Sequence, residues 1–235
     1  MRISDLDLED ISSRLIISVM NYEENEDRLD NYPYMVKGDM AVICQLCMGE
    51  KNKEGLYSSC LTVTNELLSK WNMESDLLFS MAANNGKKLM KPSIEQISSD
   101  KDDEFGLSFN YALSNAYHFN CASSIFYDYH LLERISDKVV LLPVSSNEIY
   151  ILSSIPDQQD IYDKFIENVD GIYQEFKQHT NSGLSSHILI YDKENQGMIL
   201  DAVGQSFNLN LDSFSVNQDN QDKVADQPSL RSFTR

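Results

Sequence analysis

Apolar residues recur at three- and four-residue steps through Leu8, Ile11, Leu15, Val19 and Tyr22, a period that predicts a helix over 5–27. Its far end, Glu23-Glu24-Asn25-Glu26-Asp27, sets carboxylates against the helix dipole, so fraying there, or a break near Asn21, is expected. Pro33 then pushes Tyr32 to extended geometry and ends any helix. The next run, 40–47, is continuously apolar and reads as a buried strand, with 57–64 returning as its hairpin partner after a polar turn at 50–55. Asn65 is placed to cap a short helix over 66–71. A longer helix follows from Glu74, with Leu77, Leu78, Met81 and Ala82 on one face and Gly86 as its stop. Pro92-Ser93 opens a further helical turn.

In the second half, 98–106 is a charged loop, 107–112 and 122–126 are strands, and 127–136 is a helix. A hairpin joins 139–144 to 148–152 around Ser145-Ser146-Asn147. Asp157 caps an amphipathic helix marked by Ile161, Phe165, Val169, Ile172 and Phe176. A last hairpin pairs 187–191 with 198–203. From Gly204 onward Asn, Gln, Asp and Ser dominate. Alternation at Phe207, Leu209 and Leu211 predicts one edge strand within 206–216, and the rest is too polar to offset its ordering entropy. The expected architecture is therefore a single α+β domain over 1–205, antiparallel hairpins packed with amphipathic helices, followed by a largely disordered polar tail over 206–235.

Composition narrows the class. Hydrophobic residues make up 42% of the 235, enough for a sizeable core. Against 37 acidic residues stand 19 basic ones, a net charge of −18, which opposes direct binding to nucleic-acid backbones and anionic membranes. No apolar run approaches the roughly 20 residues of a bilayer span. Four cysteines make no disulfide framework, and the N-terminal segment is acidic where a leader is basic, so a cytoplasmic location is expected.

Four segments carry a family resemblance: Val19-Met20-Asn21-Tyr22-Glu23-Glu24-Asn25, 61–71 (Leu-Thr-Val-Thr-Asn-Glu-Leu-Leu-Ser-Lys-Trp), Ala82-Ala83-Asn84-Asn85 and 141–149 (Leu-Leu-Pro-Val-Ser-Ser-Asn-Glu-Ile). In order and spacing they resemble a bacterial family, domain of unknown function 5688, found mainly in anaerobic Gram-positive bacteria. The resemblance spans about 11–203 and implies a fold but no activity, cofactor or site residue. It also implies an additional N-terminal segment, which this chain is expected to lack, and a His where Asn147 stands. If that His matters chemically, this member has lost it; if it only stabilises a turn, Asn serves equally well.

Cys44-x-x-Cys47, Cys60 and His118-x-x-Cys121 make a zinc set on paper, but an offset of three within a strand sends Cys44 and Cys47 to opposite faces. A thioredoxin-like site needs its first Cys at a helix N-terminus, which the strand reading denies. Ser145 and Ser146 lack a nucleophile elbow, and His118, His130, His179 and His187 stand at no recognised spacing from a serine. The acidic run 100–104 fails the calcium-loop pattern, with Phe105 and Tyr111 where Gly and Glu belong. Trp71 reads as a residue at the edge of the core. No catalytic, cofactor-binding or metal residue is therefore assigned and no cofactor is expected. The function expected is a non-catalytic protein-interaction or regulatory module whose partner is another protein. The alternatives are an enzyme, hydrolase-like, with a site assembled from scattered residues, and an acidic nucleic-acid mimic. A His held by a carboxylate in a polar pocket would favour the enzyme.

Overall fold

A computed structural model describes residues 8–53, 57–97, 109–115, 119–153, 166, 167, 169, 171, 173–178, 183–185, 187–194, 198–201 and 206–208. Within them the chain is α+β and both sheets are antiparallel throughout. The first sheet is built on one long strand, β3 (Met40–Lys51), with β1 (Leu15–Asn21) along one edge. Two short strands share the other edge end to end: β2 (Tyr34–Lys37) pairs with 40–43, and β4 (Tyr57–Thr62) pairs with 45–51. The second sheet has seven strands in the order β11-β10-β9-β7-β8-β6-β5. Their ranges are β5 (Ser93–Gln96), β6 (Tyr111–Ser114), β7 (Lys138–Ser145), β8 (Glu148–Leu152), β9 (Leu189–Asp192), β10 (Met198–Asp201) and β11 (Ser206–Asn208).

One core lies between the sheets. Leu15, Ile17 and Val19 from β1 and Met40, Val42, Cys44 and Leu46 from β3 meet Val139 and Leu141 of β7, Ile149 and Ile151 of β8, and Leu189 and Tyr191 of β9. Helix α4 (Ser75–Met90) and the 3-10 turn Ala122–Phe126 fill the same core with Leu78, Phe79, Ala82, Ile125 and Phe126. The opposite face of the second sheet, with Val140, Leu142 and Val144, is covered by Val169, Ile166 and Phe176 of a helix described in part over 166–178. Burial on both faces is why 139–144 is apolar without alternation.

Several expectations hold and others need correction. The hairpins 40–47/57–64, 139–144/148–152 and 187–191/198–203 form as β3/β4, β7/β8 and β9/β10. The helix expected over 5–27 does not. Only α1 (Leu8–Ser12) is helical before β1, and a 3-10 turn (Glu23–Asn25) and the short α2 (Glu26–Leu29) follow it. Leu15, Ile17 and Val19 face the main core while Ile16 and Met20 face the other side of the sheet. A strand buried on both faces offers apolar residues at every spacing, so a helical stripe can be picked from it. The β-branched Ile16, Ile17 and Val19 favour the strand.

The short helix α3 is Asn65–Lys70, capped by Thr64, whose Oγ1 accepts the Leu67 N–H at 3.2 Å. Helix α4 runs through Gly86 to Met90 and stops where Lys91 turns left-handed at φ 47°. Pro92-Ser93 opens strand β5 instead of a helical turn. The strand expected over 122–126 and the helix over 127–136 are both 3-10 segments, Ala122–Phe126 and Tyr129–Arg134. Residues 122–126 are buried on all sides, and so short an apolar run has no readable period. The strand expected from Leu107 begins at Tyr111. The loop 98–106, the capping Asp157 and the chain beyond 208 lie outside the described residues.

A histidine–carboxylate pair at the junction of the two sheets

The tight turn between β2 and β3 is Gly38-Asp39, with Gly38 at φ 63°, the left-handed first position that two-residue hairpins favour. Asp39 is thereby held at the end of the first sheet. Its carbonyl accepts the Tyr22 N–H at 2.8 Å, which anchors the turn to the end of β1. From the second sheet come residues 183–185 and 187, on the approach to β9. The Leu184 and Ser185 N–H groups donate to the carbonyls of Val144 (3.3 Å) and Pro143 (3.1 Å). Asn21 joins the two sides: its Nδ2 donates to the Leu184 carbonyl at 3.1 Å, and its Oδ1 accepts the Glu24 N–H at 2.9 Å.

Three side chains meet there. Asp39 Oδ2 accepts the Ser185 hydroxyl at 2.9 Å and lies 3.2 Å from His187 Nδ1. Ser185 Oγ also accepts the His187 N–H at 3.0 Å, so the serine fixes both the carboxylate and the histidine backbone. Asp39 is 14% exposed in its side chain and His187 39%. A carboxylate on Nδ1 favours the tautomer protonated there and leaves the Nε2 lone pair available. Nε2 has no partner among the described residues. Asp39 Oδ1 is likewise buried without one.

Beside the pair, Tyr173 packs its ring on Gly183, where a Cβ would collide with it. Lys177 lies 5.9 Å from the centroid of that ring and forms an ion pair with Glu24. Burial raises the Tyr173 phenol above its ordinary value, and the Glu24 hydrogen bond raises Lys177.

Such an arrangement has the geometry of a base with an orienting group. Ser185 Oγ points at the carboxylate instead of Nε2, so the trio is not a nucleophilic serine triad. A proton acceptor at Nε2 suits a water or a ligand hydroxyl as the attacking group. The other described histidine differs: His130 is largely exposed, and its partner Glu133 also accepts the Tyr191 hydroxyl at 2.9 Å. Tyr191 and His130 together hold the Glu133 carboxyl below its ordinary value.

The cysteines, serines and other residues that the sequence marks out lie elsewhere. Cys44 faces the main core and Cys47 the opposite side of the first sheet, where Cys60 faces it across β3 and β4. Cys121 is buried, and burial pushes its thiol up to about 12. Among the described residues no group of three or more Cys, His, Asp or Glu side chains is arranged to hold a metal ion. Ser145 Oγ accepts the Asn147 N–H at 3.2 Å inside the β7–β8 turn. Trp71 packs half-buried against the core. Phe207 pairs with Ile199, which adds β11 to the second sheet. His118, His179 and the acidic run 100–104 lie outside the described residues. Apart from the glycine before it, no local signal marks Asp39, which stands 148 positions from His187.

These features define an α+β protein with a histidine–carboxylate pair at a sheet junction. A family model matches residues 3–193, and the chain belongs to that family, described as a family of unknown function (DUF5688). No curated protein and no solved structure matches it. No described helix is long and apolar enough to cross a membrane.

Proposed function

We propose that the protein is an acid–base catalyst of hydrolase type in which His187, oriented by Asp39, takes the proton of an attacking water or hydroxyl. One observation carries the reading: two of the segments that bear the family resemblance build the frame of this pair. Asn21 and Tyr22 hold Leu184 and Asp39, and Pro143 and Val144 hold Ser185 and Leu184. The sequence alone favours a non-catalytic module, whereas a carboxylate on a half-exposed histidine supports the catalytic reading. We set the activity in the bacterial cytosol, where four free thiols are at home.

The test is a turnover screen of the purified chain on chromogenic carboxylic esters, phosphodiesters and peptides. Turnover of one class is expected, with His187→Ala lowering kcat by about 10²–10⁴-fold at unchanged Tm. Absence of turnover in every class, or a rate unaffected by His187→Ala, overturns the reading.

A second reading, binding of another protein, draws support from Leu61, 40% exposed on β4, whose outer edge pairs with no described strand. An added strand would dock there through main-chain hydrogen bonds. With a net charge of −18, a basic or neutral partner face fits best.

A further inference from the structure

Cys47 and Cys60 occupy facing positions on β3 and β4, with their sulfurs 3.2 Å apart. The hydrogen-bond pattern fixes what kind of pair this is. The Cys47 N–H donates toward β1, to the Arg14 carbonyl at 2.9 Å, while three residues earlier the Cys44 carbonyl accepts the Val63 N–H from the β4 side. Backbone groups alternate in direction along a strand, so Cys47 and Cys60 form a non-hydrogen-bonded pair. Such pairs bring Cα atoms to roughly 4.5 Å with side chains close. That lies inside the roughly 4.4–6.8 Å range a disulfide spans. The other two thiols have no such access: Cys44 faces the main core, and Cys121 is buried beside the Ala122–Phe126 turn.

We propose that Cys47 and Cys60 are a reversible, peroxide-responsive thiol pair that closes into a disulfide joining β3 to β4. Cys60, half-buried, is the residue the oxidant reaches; Cys47, 2% exposed, is the resolving thiol behind it. The shared hydrogen bond lowers the Cys60 thiol and raises that of Cys47, so Cys60 is the readier of the two to ionise. Arg14 and Lys51, at 5.1 and 4.9 Å from the Tyr57 ring centroid, act on the resolving thiol, lowering Cys47 against that rise.

In the first step the Cys60 thiolate attacks hydrogen peroxide. An S–O bond forms, the O–O bond breaks, and hydroxide leaves to become water. In the second step Cys47 sulfur attacks the Cys60 sulfenic acid. The S–S bond forms, the S–O bond breaks, and the departing hydroxide takes the Cys47 proton. Two thiols lose two electrons and one peroxide becomes two waters.

The experiment treats the full chain with equimolar hydrogen peroxide, alkylates it under denaturing conditions and maps the peptides. Two of the four thiols are expected to become unreactive, linked as Cys47–Cys60, and to return with dithiothreitol. In Cys47→Ser, Cys60 is expected to accumulate a sulfenic acid trapped by dimedone. In Cys60→Ser, Cys47 is expected to stay reduced. Four reactive thiols after treatment, a bridge through Cys44 or Cys121, or dimedone labelling of Cys47 in Cys60→Ser would each overturn the proposal. A Cys44→Ser chain gives the same pairing if the assignment is right, and serves where either of the other variants fails to fold.

Discussion

Tyr127 lies so close over Gly86 that a Cβ at residue 86 would sit 2.6 Å from the ring Cζ and under 3.0 Å from both Cε atoms. This contact explains a glycine inside helix α4. Because Tyr127 is itself buried, the ring has nowhere to move. Gly86→Ala is expected to destabilise the fold even though alanine is the better helix former by about 1 kcal/mol, since overpacking costs about 1–3 kcal/mol. Urea midpoints measure it. In a Tyr127→Leu background the cost of Gly86→Ala should largely vanish, and an equal cost in both backgrounds would refute the contact as its cause.

Asn147 Oδ1 accepts the N–H of Asn120, a buried residue turned to φ 50°, at 2.8 Å. Asn120 Nδ2 in turn donates to the Ile17 carbonyl at 2.5 Å, so the turn ties β7–β8 to β1. Asn147→Ala strands that buried N–H and is expected to cost about 1–3 kcal/mol. Asn147→His, the residue the family resemblance implies here, keeps an acceptor and should cost far less. Chemical denaturation of both variants checks the ordering.

Four buried groups give the protein an alkaline weakness. Burial raises the thiols of Cys44 and Cys121 and the phenols of Tyr127 and Tyr191. Their folded pKa values are raised, so their stabilisation is full below the unfolded values and is lost as pH rises through the folded ones. Above pH 9.0, where an unfolded Cys121 thiol releases its proton, the unfolded chain binds fewer protons than the native one, up to about 12 where the folded thiol follows. The urea midpoint should therefore fall steadily above pH 9. Cys121→Ala should flatten part of that slope, and an unchanged slope would contradict the assignment.

Cys44 and Cys47 face opposite sides of one sheet, so these thiols share no metal. Overnight treatment with EDTA is expected to leave Tm within about 1 °C of the untreated chain. A fall of about 4 °C or more, on the order of 1 kcal/mol for a domain of this class, would reveal a structural metal.

The elements readable from sequence are those with a local cause. The β7–β8 hairpin is two apolar runs around Ser145-Ser146-Asn147, and β3 with β4 is a similar return. The Cys44/Cys47 split followed from strand alternation alone. What misled was burial on every side: β1 and the Ala122–Phe126 turn carry apolar residues whose spacing no longer records the backbone period. The Asp39–His187 pair was hidden for a different reason. Asp39 is one acidic residue among 37, marked only by the preceding glycine, and its partner arrives through the topology of both sheets.

That separation also sets a clock. Hairpins such as β3–β4 close short loops and can form early, whereas joining Asp39 to His187 closes a loop of 148 residues and carries the larger entropy cost. A chain emerging from the ribosome carries the first sheet, with its carboxylate in position, long before the imidazole exists. The pair is therefore among the last features to be assembled, and a nascent chain short of residue 187 has no imidazole for Asp39 however well its first sheet has folded.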